Sequence, residues 1–245
     1  MLFNPFEQFE IILLGSFGFN SFDLSLTNLS LLTIVISLLL ISLTSLIVKS
    51  STFIPNNWQY LVEIIYQFVF SIVAEQAGRK GFAYFPHLFT IFNLILLYNL
   101  SGLVPFSFTV SSHVIITFTL ALSYFIAWII VGIIKLGPKF LGVFCPKNMP
   151  LWLLPLLICV EFLSFSLRPI SLGVRLFANM LAGHILLHIL AGAFIYLMAK
   201  LIILAIPAYA IVSAIAVLEL GIGFLQAYIF TILLAIYLKD SLIAH

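Results

Sequence analysis

The chain has 245 residues, of which 64% are hydrophobic and 7% are charged, and its formal net charge is +2. Several runs reach the roughly 20 apolar residues that a helix needs to cross a bilayer, so the composition predicts a polytopic integral membrane protein and excludes a soluble domain. The ten basic side chains form no dense patch, so the net charge carries little information about acidic partners, and we expect no nucleic acid partner. Two cysteines, Cys145 and Cys159, are too few for a disulfide framework and match no metal-site spacing.

Taken in chain order, the sequence predicts one all-α membrane domain, 1–245, that begins with an N-terminal segment at 1–28. The first upright span is predicted at 29–48. A helix follows at 58–77, where polar side chains recur every fourth residue, so we expect it to lie at the membrane interface. The stretch 82–134 is predicted to form a helical hairpin, which brings the upright spans to two or three.

The stretch 151–238 contains two very long apolar segments, at about 151–191 and about 200–238. At about 1.5 Å per residue each would extend roughly 60 Å, twice the thickness of the hydrocarbon core. Prolines permit bends, but no polar loop interrupts either segment. We therefore expect a long helical hairpin that is steeply inclined in the membrane, well beyond the usual tilt of about 20°. The alternative is that each segment breaks into two spans.

Basic residues near the span ends predict the orientation. With five crossings and the N-terminus outside, the outer side receives only Lys200, whereas the inner side receives seven basic residues. These seven are Lys49, Arg79, Lys80, Lys135, Lys139, Lys147 and Lys239. In this orientation Glu161 and Asp240 lie near the inner face. His184 and Glu219 lie toward the outer face.

Arg175 lies inside the apolar tract from Leu151 to Met198, where a permanent charge costs at least about 2.5 kcal/mol by insertion scales. The only acid of this tract is Glu161, which precedes Arg175 by 14 residues, or roughly 21 Å along a helix. We therefore expect the partner of Arg175 on another chain. An ion pair within the chain is the alternative.

The two long segments carry matching polar residues. If they run antiparallel about a midpoint near residue 201, three pairs come level at nearly the same midpoint. These pairs are Glu161 with Asp240, Arg175 with Gln226, and His184 with Glu219. Along the first segment, Glu161, Arg168, Arg175 and Asn179 fall within a stripe roughly 40° wide. His184 points away from this stripe unless the helix bends, which would suit a separate compartment.

This layout predicts proton transport. Acidic and histidine side chains at the two ends can hold water and relay protons, whereas the cation between them repels protons. The result is two half-channels that Arg175 separates. A carboxylate on a partner helix would carry the proton past Arg175. At about 4 Å and an effective dielectric near 20, the two groups attract by about 4 kcal/mol, roughly three pKa units, which is enough to expel the proton.

Two stretches resemble the signature of one family, subunit a of the F-type ATP synthase of mitochondrial type. They are SLGVRLFANMLAGH, from Ser171 to His184, and LELGIGFLQAYIF, from Leu218 to Phe230. The resemblance runs from the opening NPFEQFEI to the C-terminus. It implies a stator subunit without a catalytic site or cofactor, which conducts protons to and from the c-subunit rotor ring. The implied partners also include the peripheral stalk, the other Fo subunits and the lipid bilayer.

The resemblance also implies roles for individual residues. Arg175 matches the essential arginine that faces the buried carboxylates of the ring, and Asn179 and Gln226 match its polar neighbours. His184 and Glu219 match the half-channel on the proton-rich side, whereas Glu161 and Asp240 match the path toward the ATP-making side. In similar bacterial members these acidic and histidine positions are exchanged. The implied location is the mitochondrial inner membrane, with the N-terminus toward the intermembrane space and the C-terminus toward the matrix.

Three further residues have open assignments. Arg168 could support the polar stripe, or bind a lipid headgroup or a neighbouring subunit. His113 could line the outer mouth or be an ordinary loop histidine. His188 follows His184 by four residues, a spacing that also suits haem or metal, but no second histidine helix matches it, so we expect neither.

Two other functions stay open at this point. One is a proton-pumping membrane subunit of a respiratory quinone oxidoreductase, and the other is a scaffold in which the polar groups only join helices. Sodium is the rival ion, but a site of one arginine and one histidine offers no dedicated oxygen cage for it.

Overall fold

The computed structural model describes residues 9–19, 22–49, 56–104, 107–137, 140, 142, 154–200 and 202–242. Helices dominate these residues, as predicted. They are α1 (Asn28–Lys49), α2 (Asn57–Gln76), α3 (Gly78–Gly81), α4 (Phe85–Gly102), α5 (Val114–Leu136), α6 (Leu154–Lys200) and α7 (Ile202–Leu242). Two short 3₁₀ turns precede α4 and α5, at Phe82–Tyr84 and Val110–Ser112.

Five helical stretches of the described residues are long and apolar enough to cross a membrane, which confirms a polytopic helical membrane protein. Helix α6 has 47 residues and α7 has 41, so they extend roughly 70 and 60 Å. Each continues past an internal proline, Pro169 or Pro207. The structure therefore supports one long helix per segment and not two spans. Their inclination in the bilayer stays a prediction, and residues 151–153 of the predicted hairpin lie outside the described residues.

The N-terminal segment contains a feature that the sequence analysis missed, an antiparallel β-hairpin. Strand β1 (Leu13–Phe19) pairs with β2 (Phe22–Thr27), with an irregularity in register near Gly15. The signal was present in β2, where Phe, Leu and Leu alternate with Asp, Ser and Thr at the strand period of two.

Helix α1 begins directly after the hairpin, and side chains from both sides of the junction fasten its first turn. The Ser30 backbone N–H donates to Thr27 Oγ1 at 3.2 Å, and the Thr27 N–H donates to Ser30 Oγ at 2.9 Å. Such reciprocal bonds satisfy backbone donors that a helix start leaves unpaired. Asn28 ties the same turn to the residues before β1, because its side-chain Nδ2 donates to the Glu10 carbonyl at 3.0 Å.

The chain forms two compact units, each assembled from separate stretches. Unit 1 comprises Met1–Lys49, Asn93–His113 and Leu176–Ala227, and unit 2 comprises Ser50–Phe92, Val114–Arg175 and Tyr228–His245. The core of unit 2 is rich in aromatic contacts, such as the edge-on packing of Tyr66 against Phe85 with ring centroids 4.8 Å apart. In unit 1 the buried interior contains polar groups beside apolar ones.

Within unit 2, Gly173 lets α6 approach α5 closely. A Cβ at residue 173 would lie 3.0 Å from Phe118 Cα and 3.2 Å from the Thr117 carbonyl oxygen. Both neighbours are backbone atoms, so they cannot rotate away. Small residues at such crossings allow the close packing on which helix association in membranes depends.

We predict that Gly173→Val destabilises the protein by about 1–3 kcal/mol, because the added methyl groups force the two helices apart. The measurement is the thermal unfolding midpoint of the purified assembly in detergent. Gly192→Val is the matched control, since a Cβ at Gly192 meets nothing within 4 Å. Equal midpoints for the two variants would contradict the prediction.

Candidate functional site

His184 and Glu219 meet in the interior of unit 1. His184 on α6 is 4% exposed and Glu219 on α7 is 3% exposed, and the distance from His184 Nδ1 to Glu219 Oε1 is 3.6 Å. The pairing that the antiparallel register predicts for these residues is thereby confirmed. Their role in transport stays a prediction.

The polar atoms of this pair are buried but incompletely satisfied. Neither carboxylate oxygen of Glu219 nor His184 Nε2 has a hydrogen-bond partner among the described residues. The 3.6 Å between the side chains is too long for a direct hydrogen bond. Because a buried polar atom without a partner costs about 1–3 kcal/mol, such groups are usually satisfied by water or serve a chemical role. The pair is therefore suited to bind water and to exchange protons.

Gly183 makes room for the pair, and Asn99 adds another buried polar group to the interior of unit 1. A Cβ at Gly183 would lie 2.7 Å from Glu219 Oε1, so the missing side chain makes room for the carboxylate. Asn99 on α4 is fully buried, and its Nδ2 donates to the Gly223 carbonyl on α7 at 2.9 Å. Its Oδ1 is another buried atom without a partner among the described residues. The asparagine thus joins two helices and also adds to the polar interior.

A second polar feature of unit 1 is the segment Thr109–Ser112, which we call the hydroxyl turn. Thr109, Ser111 and Ser112 are each at most 4% exposed. The hydroxyls of Thr109 and Ser112 share a hydrogen bond of 2.7 Å, and Ser112 Oγ donates to the Thr109 carbonyl at 2.7 Å. Ser111 Oγ has no partner among the described residues. This cluster was not predicted from the sequence, although TVSSH is a polar run between apolar stretches.

His113 follows the hydroxyl turn and lies just before the span of α5. Its ring stacks on Phe108, with centroids 5.0 Å apart. Burial lowers the pKa of His113 below its ordinary value of 6.5, so the imidazole is neutral at neutral pH. The structure places His113 beside the hydroxyl turn, and its predicted role at the outer mouth stays untested.

Unit 2 contains a separate polar cluster, which consists of Glu161, Arg168 and Asp240. Arg168 Nη1 donates to Asp240 Oδ2 at 2.8 Å, and Arg168 Nη2 lies 3.6 Å from Glu161 Oε1. Glu161 and Arg168 are two helical turns apart on one face of α6, whereas Asp240 is on α7. Glu161 and Asp240, the pair that the antiparallel register predicts, both lie against the guanidinium of Arg168, and a direct pairing of the two carboxylates stays a prediction.

Aromatic rings enclose the guanidinium of Arg168. Its carbon lies 5.3 Å from the centroid of Phe165 and 5.4 Å from that of Tyr237. Such contacts suit the planar guanidinium, which stacks on rings while it donates in its own plane. Of the options that the sequence left open for Arg168, the structure favours support of the polar stripe. The side chain is neutralised by carboxylates of its own chain and needs no lipid headgroup.

Arg175 differs from Arg168 in its surroundings. It is exposed on α6 and makes no ion pair or hydrogen bond with any residue that the structure describes. The alternative of an ion pair within the chain is therefore not supported. Asn179 is also exposed, one turn further along α6, whereas Gln226 on α7 is 6% exposed. Arg175 belongs to unit 2 and Gln226 to unit 1, so their pairing stays a prediction.

His188 is half-buried on α6, one turn beyond His184. Among the residues that the structure describes, no group of three or more histidine, cysteine, aspartate or glutamate side chains is placed to hold a metal ion.

Comparison with known proteins shows similarity over nearly the whole chain. Residues 29–239 match the family described as ATP synthase A chain. A protein of Chondrus crispus described as ATP synthase subunit a is 47% identical over 245 residues, covering 99% of this chain and 97% of the relative. Proteins with the same description from Dictyostelium discoideum and Paramagnetospirillum magneticum are 44% and 41% identical, and each alignment covers at least 98% of both chains.

We predict that Arg168→Gln lowers stability by about 1–3 kcal/mol. This is less than the cost of breaking a fully buried pair, because Arg168 and Asp240 remain 22% and 27% exposed. The measurement is the thermal unfolding midpoint of the purified assembly, with Arg79→Gln as a control at an exposed cation.

Adding Asp240→Asn to Arg168→Gln should restore part of the lost stability, because it removes the carboxylate charge that Arg168→Gln leaves unpaired. Additive losses in the double variant would show that the two side chains do not interact energetically.

Proposed function

Because the chain belongs to the ATP synthase A chain family, we propose that its two polar clusters are the ends of a proton path that Arg175 interrupts. As a member of this family it is the proton-translocating stator subunit of the Fo sector and not a catalytic subunit. It works in the membrane with the c-ring and other Fo subunits. A respiratory quinone oxidoreductase subunit, the alternative function, is not favoured.

The observation that carries this proposal is the buried pair of His184 and Glu219. Three buried polar atoms of the pair lack hydrogen-bond partners among the described residues, and the pair combines an acid with an imidazole. Imidazole is the side chain whose ordinary pKa is nearest to neutral pH, so it can accept and release protons under physiological conditions. We assign the pair to the proton-uptake side, from which Glu219 supplies protons to the rotor carboxylate.

We assign the cluster of Glu161, Arg168 and Asp240 to the release side. Here each carboxylate lies within 3.6 Å of the permanent cation of Arg168, so two acidic groups are held together at one position. Both carboxylates are partly exposed, which gives them access to water. This chemistry is suited to releasing a proton and is unlike that of the unsatisfied pair in unit 1.

Arg175 would separate the two sides along α6. Glu161 and Arg168 precede it on this helix and His184 follows it. Because Arg175 is exposed and makes no ion pair with a described residue, we propose that its partner is the ionised carboxylate of a passing c subunit. Asn179 and Gln226 would be its polar neighbours. Each proton transferred supplies about 2.3 kcal/mol per 100 mV of membrane potential, and the pH difference adds to this.

We further propose the finer location and contacts of the subunit. The relatives from Chondrus crispus and Dictyostelium discoideum support the mitochondrial inner membrane. The bias of basic residues supports an N-terminus toward the intermembrane space and a C-terminus toward the matrix. The peripheral stalk is a proposed partner, and the transported ion is proposed to be H⁺.

We predict that Arg175→Ala abolishes ATP synthesis driven by a proton gradient. Without the cation, the rotor carboxylate has no group that expels its proton, and the two sides are no longer separated electrostatically. The measurement is ATP synthesis in energised vesicles that contain the assembled complex. Lys200→Ala removes an exposed cation at the end of the same helix and should leave synthesis unchanged. Undiminished synthesis by Arg175→Ala would refute the proposed separation.

We also predict that Glu219→Gln slows proton flux through the complex by about tenfold or more, because the amide keeps the shape of the side chain but cannot take up and release a proton. Potential-driven flux into vesicles, measured with a pH-sensitive dye, tests this. Glu75→Gln on α2 is the control, since Glu75 is an exposed carboxylate outside both polar clusters. If Glu219→Gln and Glu75→Gln conduct equally, Glu219 is not on the path.

A further inference from the structure

Gly102, the last residue of α4, lies between His184 and the hydroxyl turn. A Cβ at residue 102 would be 2.9 Å from His184 Nε2 and 2.8 Å from Thr109 Cγ2. The imidazole and the first residue of the turn therefore approach the same point, which is free of side-chain atoms only because residue 102 is glycine. All these residues belong to unit 1.

The two nitrogens of His184 have different neighbours. Nδ1 lies 3.6 Å from Glu219 Oε1, whereas Nε2 lies on the side of Gly102 and Thr109. Nε2 is buried and has no hydrogen-bond partner among the described residues. Glu219 thus occupies one end of the ring, and the other end is directed toward the hydroxyl turn.

The hydroxyl turn contains hydroxyl groups, which can exchange protons with an imidazole nitrogen such as His184 Nε2. A hydroxyl group both donates and accepts a hydrogen bond, so hydroxyls with intervening water can pass protons along. Thr109 and Ser112 already share such a bond, and Ser111 Oγ is buried without a partner among the described residues. A buried hydroxyl such as that of Ser111 is costly in an apolar protein unless water or a functional group satisfies it.

We propose, on the basis of the function proposed above, that the hydroxyl turn and the gap at Gly102 form the part of the uptake path that precedes His184. Neutral His184 with its proton on Nδ1 accepts a proton at Nε2. The resulting imidazolium attracts the carboxylate of Glu219, and the Nδ1 proton passes to it once the 3.6 Å separation closes to hydrogen-bond distance. One proton enters the ring and one leaves it. The ring returns to its first tautomer by exchange with water before the next transfer. Gly102 is a positioning residue that keeps Nε2 accessible.

The first test is Gly102→Ala in the assembled complex. The added methyl group would contact Nε2 more closely than van der Waals packing allows, so we expect proton flux into energised vesicles to fall about tenfold, equivalent to about 1.4 kcal/mol in the barrier. Gly192→Ala should conduct normally, since a Cβ there meets nothing within 4 Å. Wild-type flux in Gly102→Ala would overturn the proposal.

The double variant Gly102→Ala, Thr109→Ser separates blockage of His184 from simple crowding. Thr109→Ser deletes Cγ2, the other atom that the new methyl group would meet, and keeps the hydroxyl. If Nε2 must stay accessible, flux in the double variant remains low. If full flux returns, the loss came from crowding against Thr109, and the role of the gap is refuted.

The second test is Ser111→Ala, which removes one buried hydroxyl and little volume. We expect flux to fall several-fold, with the amount of assembled complex unchanged, and the dependence of flux on pH at the uptake side to shift. Ser213→Ala, a change at an exposed site on α7, is the control. Unchanged flux and an unchanged pH profile would remove the turn from the path.

The outcomes separate this inference from the function on which it rests. If Glu219→Gln blocks flux whereas Gly102→Ala and Ser111→Ala conduct like wild type, the pair conducts but receives protons by another route. If Glu219→Gln itself conducts normally, the proposed function fails.

Discussion

The energetic cost of charge in an apolar environment is the constraint on which this chain's organisation depends. Two arginines, seven residues apart on α6, differ in how their charge is accommodated. Arg168 lies between two carboxylates and two aromatic rings of its own chain. Arg175 is exposed and has no ion-pair partner among the described residues. Because a charge at membrane depth is costly unless it is paired or hydrated, the exposed position of Arg175 supports the proposed partner on another subunit.

The long helices α6 and α7 allow these groups to be arranged without loops. Each helix satisfies its own backbone, so side chains can be placed at any depth along it while the chain stays within a water-free environment. Antiparallel register then determines which residues meet, and it brings His184 to Glu219 within unit 1 and Glu161 to Asp240 within unit 2. Glycines at 102, 173 and 183 permit the close approaches that this packing requires.

The sequence predicted those features that follow from periodicity and register. The long helices follow from uninterrupted apolar runs. The pairs His184–Glu219 and Glu161–Asp240 follow from an antiparallel register about one midpoint. The partners of Arg168 were left open because the antiparallel register assigns Asp240 to Glu161, and it does not show that Arg168 also reaches Asp240. The hydroxyl turn and the gap at Gly102 were missed for a different reason. These two features depend on burial and on the absence of a side chain, and neither property produces a periodic pattern in the sequence.

The two polar clusters also differ in whether their acidic and basic side chains could exchange positions. In the cluster of Arg168 one permanent cation lies against two carboxylates, so exchanging the cation with one carboxylate changes its distance to the other. In the other cluster an acid and an imidazole face each other at 3.6 Å, and proton transfer between them needs one of each but not a particular order. On the proposed uptake side, the structural requirement is therefore the pair itself, which α6 and α7 hold in one buried register.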